Sequence, residues 1–542
     1  MQRLCGSESR AGRLGQACAW LLASCMWACE GREESSFSYY DARIAPILDV
    51  GCQRQTTGCH VDDGRGFALG NLDLSSYETL LQRGDVLAPV GPYPVGALLL
   101  KAGDPVHIDV RTVDRRVQIT TDIRHAAGGG AIAEGSRSYS QLKQWIDGGY
   151  SRTGVATTGL RQSEGACSHA LGSRPYIDTQ SPPRSQDNYD RFARDVAPML
   201  TRRCAGSSCH GSPQADLYLT CASTDEETRW NYELALRYLD DVPAASELLL
   251  RPLAVAAGGV FHEGGDVFEN VADPDYRSLL AWAERSVASD PALLALGDVD
   301  DGLRFFADRV QPVLVRKGCM FLNCHSPAMF HDLRLALGAR GFFSEVAIRR
   351  NYELSRAQLA LDSEDPSQSR LIAKNLCPAA TGGKGISHRG GALLEDFGGC
   401  GDAAGRAAPA QCVGVDADSG SLDDVPAYCV LARWHTLERE RATARGELPA
   451  SATPRGVVFV TRPGDIGAVT DFDVFRPGAD LLLAPVTSAA DGGIALGAPR
   501  SLLAGCGLSA GSDVRGPAVS WDAEHIVFAA RSAPDTPLRL YQ

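Results

Sequence analysis

Three short strings in this 542-residue chain place two thiols and an imidazole in a fixed order: Cys52-QRQTTG-Cys59-His60, Cys204-AGSS-Cys209-His210 and Cys319-MFLN-Cys324-His325. A cysteine pair ending in Cys-His is the attachment pattern of covalently bound haem c. Its two thiols add across porphyrin vinyl groups to give thioethers, and the adjacent histidine is placed to ligate iron. Histidine follows the second cysteine each time, which a plain disulfide loop does not require. A zinc site built from two cysteines and two histidines at these separations lacks the short second spacing of a typical finger. The spacers hold six, four and four residues, so the first site departs furthest from the common motif of two.

Iron held from one side needs a second axial ligand, usually methionine in single-haem cytochromes c. The chain has five methionines, and none is well placed. Met1 and Met26 fall in the leader, Met199 precedes its motif, Met320 lies inside a spacer, and Met329 is four residues past His325. Histidine remains. His125 precedes AAGGG, His262 precedes EGG and His388 precedes RGG, each following its proposed partner by 65, 52 and 63 residues. The expected pairs are His60 with His125, His210 with His262, and His325 with His388, the glycines letting backbone approach a flat cofactor. His107, His169, His331 and His435 read as surface or packing residues. Two histidines on iron favour a lower potential than a methionine ligand and leave no open coordination position, which points to electron relay over catalysis.

The elements that position these groups recur three times. An apolar stripe comes first: Tyr40, Ile44, Ile47, Leu48; Phe192, Val196, Met199, Leu200; Phe306, Val310, Val313, Leu314. Its spacing marks one face of a helix. Pro46, Pro198 and Pro312 interrupt it, so two short helical pieces meeting at a bend are expected. The Cys-His string follows, then the glycine-flanked histidine. Last comes Tyr-x-x-Leu-x-x-Trp, at Tyr139/Leu142/Trp145, Tyr276/Leu279/Trp282 and Tyr428/Leu431/Trp434. The string NYEL occurs at 231–234 and again at 351–354. The repeats are placed at 38–150, 186–286 and 300–440.

Residues 1–29 read as an export leader: Arg3, Arg10 and Arg13 precede an apolar stretch too short to span a bilayer. It runs into Leu22-Ala23-Ser24-Cys25, a lipobox-like string that makes Cys25 the expected lipidation site. Periplasm or outer membrane, with membrane attachment only through an N-terminal lipid anchor, is the expected location. Seventeen cysteines suit such an oxidising compartment. Cys167 and Cys221 are candidates to pair. Cys377, Cys400, Cys412 and Cys429 allow three connectivities between them, and Cys506 is left over. A net charge of -13 and a pI near 5.4 disfavour nucleic acid and anionic headgroups, leaving redox proteins or small redox molecules as partners.

From residue 452 to 542 the pattern changes to short apolar runs bounded by Pro, Gly and Asp, which read as strands. Pro517-Ala518-Val519-Ser520-Trp521-Asp522 followed by IVFAA resembles a blade of Tol-type β-propellers. A partial propeller is expected here, because two blades cannot close a ring.

Four-residue Cys-His spacers occur in some multihaem cytochromes, and the whole arrangement resembles exported multihaem c-type cytochrome lipoproteins of myxobacteria and planctomycetes. It is also similar in architecture to the α subunits of hydrazine synthases. The resemblance implies a multidomain chain of mainly α, cytochrome c-like repeats followed by an all-β propeller-like segment, with two or three covalent haem c groups. An electron carrier is the expected function. The alternatives are a redox enzyme subunit with one open iron position and a haem-free, disulfide-stapled binding or scaffold lipoprotein.

Overall fold

The computed structural model describes residues 38–53, 59–62, 68–103, 105–123, 125, 132–154, 160–174, 176–297, 299–321, 324–327, 329, 331–379, 383–394, 400, 412–448, 456–464, 474–488, 494–520 and 523–542. The leader and Cys25 lie outside these. Among the described residues no helix is long and apolar enough to cross a membrane. The chain divides into two compact units, Met1–Ala442 and Thr443–Gln542.

Five helices in the described residues reach eleven residues or more: α1 (Arg137–Asp147), α2 (Asp225–Leu236), α3 (Pro274–Ser289), α4 (Glu345–Arg356) and α5 (Ala427–Ala444). Ser136, Thr224, Asp273 and Ser344 cap the first four by accepting first-turn backbone N–H groups. The three Tyr-x-x-Leu-x-x-Trp motifs fall on α1, α3 and α5, and all nine of those residues are buried.

The apolar stripes form helix as their spacing predicts, but the prolines do not break it. Tyr40–Ile44, Phe192–Val196 and Phe306–Val310 are single widened, π-type turns. Each runs directly into an α-helical segment, Ala45–Leu48, Ala197–Arg203 or Gln311–Arg316, whose second residue is the proline. Residues Ile44, Val196 and Val310 at the junctions keep right-handed backbone angles. The widened turn accommodates the ring and the missing N–H, so the expected bend is a bulge in a continuous helix.

Each stripe opens on an aromatic residue wedged between two others. Tyr40 lies 5.1 Å from Tyr77 and 5.6 Å from Trp145. Phe192 lies 5.4 Å from Tyr232 and 5.1 Å from Trp282. Phe306 lies 5.7 Å from Tyr352 and 5.3 Å from Trp434. These tilted or edge-on triads sit at equivalent points of the three repeats, within the spacing range that favours aromatic pairs. The second repeat keeps its own core around Phe192, Tyr232 and Trp282. The first and third share one, in which Ile44, Leu99 and Ile119 join Val310, Phe343 and Trp434.

A hairpin joins them. Strands β1 (His107–Arg111) and β2 (Arg116–Thr120) pair antiparallel and turn Ile108, Val110 and Ile119 inward. Arg111 N–H donates to the Gly341 carbonyl and Phe343 N–H to the Arg111 carbonyl, stitching the first repeat to the third. The Arg111 guanidinium reaches Asp240 of the second at 2.8 Å.

The expected fold class, mainly α cytochrome c-like repeats with a propeller-like tail, is overturned. The architecture is mixed, with 37% helix and 12% strand in small separate sheets, none of them closed. Helical spacing marks the apolar stripes and the Tyr-x-x-Leu-x-x-Trp motifs, whereas His107–Thr120 alternates with period two, which belongs to strand. In the second unit β3 (Gly456–Thr461), β4 (Asp480–Ser488), β5 (Ile494–Leu496) and β6 (Arg500–Ser501) make one sheet. Strands β7 (Asp513–Val519), β8 (Ile526–Arg531) and β9 (Arg539–Tyr541) make another. The apolar runs do form strands, but they pack their inner faces together around Leu481, Val514 and Phe528. Runs bounded by turn residues identify strands, and say nothing of whether sheets stack or radiate about an axis.

Candidate functional site

The attachment loops close on themselves at the end of the stripe helix. In the second repeat Cys204 N–H donates to the Leu200 carbonyl, and His210 N–H returns to the Cys204 carbonyl at 3.0 Å. In the third, Cys319 N–H donates to Leu314 and His325 N–H to Cys319, again at 3.0 Å. In both, this bond brings the histidine backbone back to the first cysteine; Leu322 and Asn323 of the third spacer lie outside the described residues. Cys52, Cys204, Cys209, Cys319 and Cys324 form no disulfide. Burial first, then the companion thiol, pushes Cys204 and Cys319 up to about 12 and Cys52 to about 11, so all three stand as neutral thiols.

Of the other seven described cysteines, six pair. Cys167 bonds Cys221, Cys377 bonds Cys400, and Cys412 bonds Cys429, which selects one of the three connectivities left open by spacing. Cys506 is free.

The three expected histidine pairs come together across 52 to 65 residues of chain. Ring centres are 5.9 Å apart for His60 and His125, 5.9 Å for His210 and His262, and 6.1 Å for His325 and His388. Metal–imidazole bonds of about 2 Å, plus roughly 1 Å from each coordinating nitrogen to its ring centre, put two imidazoles on opposite sides of one metal about 6 Å apart. The second pair is nearly parallel, at 8°.

Backbone carbonyls orient the rings. His60 Nδ1 donates to Leu69 at 2.9 Å, His325 Nδ1 to Leu333 at 3.1 Å, His262 Nδ1 to Gly265 at 2.8 Å and His388 Nδ1 to Gly391 at 3.1 Å. A carbonyl only accepts, so Nδ1 carries the proton and Nε2 keeps the lone pair that a metal needs. Leu217 supplies the equivalent carbonyl beside His210, whose buried Nδ1 makes no well-aligned bond. Burial first, then His262, takes His210 down to about 4. His262, His125 and His325 are also lowered, chiefly by burial, so their imidazoles stay neutral.

At His262 and His388 the glycines also hold the histidine itself; those after His125 lie outside the described residues. A Cβ on Gly264 would meet the His262 ring at 2.9 Å, and one on Gly390 the His388 ring at 2.9 Å. Gly265 and Gly391 adopt left-handed backbone, with φ of 78° and 81°, and turn their carbonyls back onto Nδ1. They hold the histidine, where spacing suggested only room for a flat ligand.

In the second repeat Cys204, Cys209, His210 and His262 line one cavity of about 530 Å³, within the range of cofactor pockets. Its walls are apolar at Leu200, Leu248, Phe261 and Phe268, and arginines 161, 251, 334 and 350 also line it. Arg251 and Arg350 pair with Glu247 and Asp216 of the same wall at 2.6 Å each, so the apolar faces with Arg161 and Arg334 are the part that fits a large flat ring with anionic substituents. Among the described residues no three His, Cys, Asp or Glu converge as ligands of one metal ion. The thiols and imidazoles instead line different parts of one space.

Sequence reasoning missed the groups behind the ligands. Asn231 on α2 is fully buried; its Oδ1 accepts from Thr220 N–H at 2.8 Å, and its Nδ2 donates to the Thr220 carbonyl at 3.1 Å. Asn351 on α4 does the same to Ala336, at 2.6 and 3.1 Å. The residues just before these, Leu219 and Leu335, donate to the carbonyls of His210 and His325. Each asparagine therefore braces the segment that braces the proximal histidine. The repeated NYEL string was the signal, its asparagine being the buried amide. His331, read as an ordinary residue, lies 4.7 Å from His325 and donates from Nε2 to the Cys324 carbonyl.

No protein-family model, no curated protein and no solved structure matches this chain.

Proposed function

We propose that this protein carries haem c at its three Cys-His sites, with two histidines on each iron, and that it transfers electrons. The cavity lined jointly by Cys204, Cys209, His210 and His262 carries the reading. Cys204 and Cys209 would hold the porphyrin through thioethers, and His210 and His262 would hold its iron, which when bound would supply one-electron chemistry. Pairs Cys52/Cys59 and Cys319/Cys324, with His60/His125 and His325/His388, play the same parts. The protein's own work is to keep each Nε2 lone pair free, to fix ring orientation through backbone carbonyls, and to bury the site.

Cys52, Cys204, Cys209, Cys319 and Cys324 form no disulfide in a chain whose neighbouring cysteines form three, which favours this reading over a stapled scaffold. Two imidazoles per site favour a carrier over an enzyme with an open iron position. The disulfides also support export to an oxidising compartment, consistent with the leader and with Cys25 as a lipid anchor. Redox proteins or small redox molecules are the proposed partners.

The test is a pyridine haemochrome assay with intact-mass measurement on the full chain matured with cytochrome c assembly factors. Three covalent haems are expected, and two in Cys204→Ser/Cys209→Ser. A colourless product with the six sulfurs oxidised in pairs refutes the proposal.

A further inference from the structure

The order of the sites along the chain differs from their order in space. On one side, the segment that carries His125 lies against the third attachment loop. Asp122 N–H donates to the Arg316 carbonyl, and its carboxylate pairs with Lys317 at 2.5 Å. A Cβ on Gly318, just before Cys319, would meet Ile123 at 2.9 Å. Within that loop Phe321 lies tilted against Tyr93 of the first repeat, ring centres 4.4 Å apart, and Tyr93 Oη donates to the Val315 carbonyl. The Lys101 ammonium lies 5.7 Å from the Phe321 ring centre and acts on both His125 and Cys324.

On the other side, the cavity around His210 and His262 is closed by the third repeat. Pro327, two residues past His325, lines it with Ala336 and Leu337. Leu333, whose carbonyl holds His325 Nδ1, adjoins Arg334 in the same wall. Among the described residues nothing before Arg161 lines that cavity, although the first repeat reaches its lining residue Phe261, whose N–H donates to the Pro89 carbonyl at 2.8 Å.

From these contacts we infer that the third Cys-His site is the junction of the array, touching the first through Lys101 and Phe321 and the second through Pro327 to Leu337. The order in space is first, third, second. This rests on the reading of the sites as haem sites. It makes the most C-terminal site the central one, and the first and second the ends at which partners meet the array.

The experiment uses the full, matured chain and reads iron–iron coupling by EPR relaxation of the ferric low-spin signals. Cys319→Ser/Cys324→Ser should slow relaxation at both remaining sites. Cys52→Ser/Cys59→Ser should change the third site and leave the second as it was. A second-site signal that responds to loss of the first site, but not of the third, overturns the junction. Lys101→Glu alters no attachment or axial residue and guards against misfolding of the cysteine variants. It should move two of three midpoint potentials downward, because negative charge near iron favours the ferric form, and leave the other in place. A single shifted potential, or none, overturns the arrangement. Three coupled haems in another order would sink only this inference, whereas a colourless matured protein sinks the haem reading beneath it.

Discussion

Asn231→Ala tests how the chain holds a proximal histidine without touching it. The amide accepts from Thr220 N–H at 2.8 Å and from Thr220 Oγ1 at 3.1 Å, and donates to the Thr220 carbonyl at 3.1 Å. Thr220 and Asn231 are both fully buried. Thr220 Oγ1 keeps its bond to the Glu227 carbonyl in the variant. Its backbone N–H and C=O lose these partners inside the core. Each buried group left unsatisfied costs about 1–3 kcal/mol, so the two together cost about 2–4 kcal/mol after partial relaxation. The cost falls on the segment whose Leu219 N–H holds the His210 carbonyl. Urea titration of wild type and variant, followed by tryptophan fluorescence, should show a lower midpoint. Hydrogen exchange should show lost protection around 204–221, with the third repeat unaffected. Asn231→Asp should be comparably damaging, since a carboxylate would face the Thr220 carbonyl. A loss under about 0.5 kcal/mol, the level of an ordinary surface change, would refute the bracing argument.

His262→Ala should leave the porphyrin of the second repeat attached while converting one iron in three to high spin, read by absorption and EPR; an unchanged low-spin spectrum contradicts the pairing. Cys167→Ser/Cys221→Ser opens a loop of 54 residues, worth about 2–4 kcal/mol. Because Ser163 Oγ accepts from Gly206 N–H and the Glu164 carbonyl accepts from Ser208 N–H and Oγ, the same variant should raise proteolytic cleavage near 160–170, seen by mass spectrometry. In the second unit Asp513 is fully buried against Arg462, Arg515 and Arg531 at 3.2, 2.5 and 3.5 Å. Burial alone raises its pKa, but the Arg515 and Arg462 guanidiniums and the Arg476 N–H hold it below the usual carboxylate value. Its stabilisation is therefore complete above the unfolded value near ~3.9 and fades as pH falls through the folded one. Asp513→Asn should cost about 3 kcal/mol at neutral pH and flatten that acid dependence, measured by hydrogen exchange over 456–542.

The candidate groups are written locally and can be read locally. A thiol pair with its histidine occupies seven to nine consecutive residues, and a histidine before two glycines occupies four or five, so sequence alone named the groups. Helix faces were equally legible, since Tyr139, Leu142 and Trp145 repeat at a spacing that only a helix aligns. What sequence did not determine was everything set by contacts between distant segments. Whether Cys377 meets Cys400, Cys412 or Cys429 depends on how loops fold back. The proline bulges depend on a backbone closure that residue types do not encode. The hairpin at 107–120 escaped because its alternation was masked by stronger helical patterns on either side, and it is this hairpin that fuses the first and third repeats into one core. The strands of the last 90 residues were visible, but their sheet arrangement is decided by packing of Leu481 on Val514 and Phe528. Burial is a property of the assembled chain: spacing can say which residues share a face, and only tertiary structure says what that face meets.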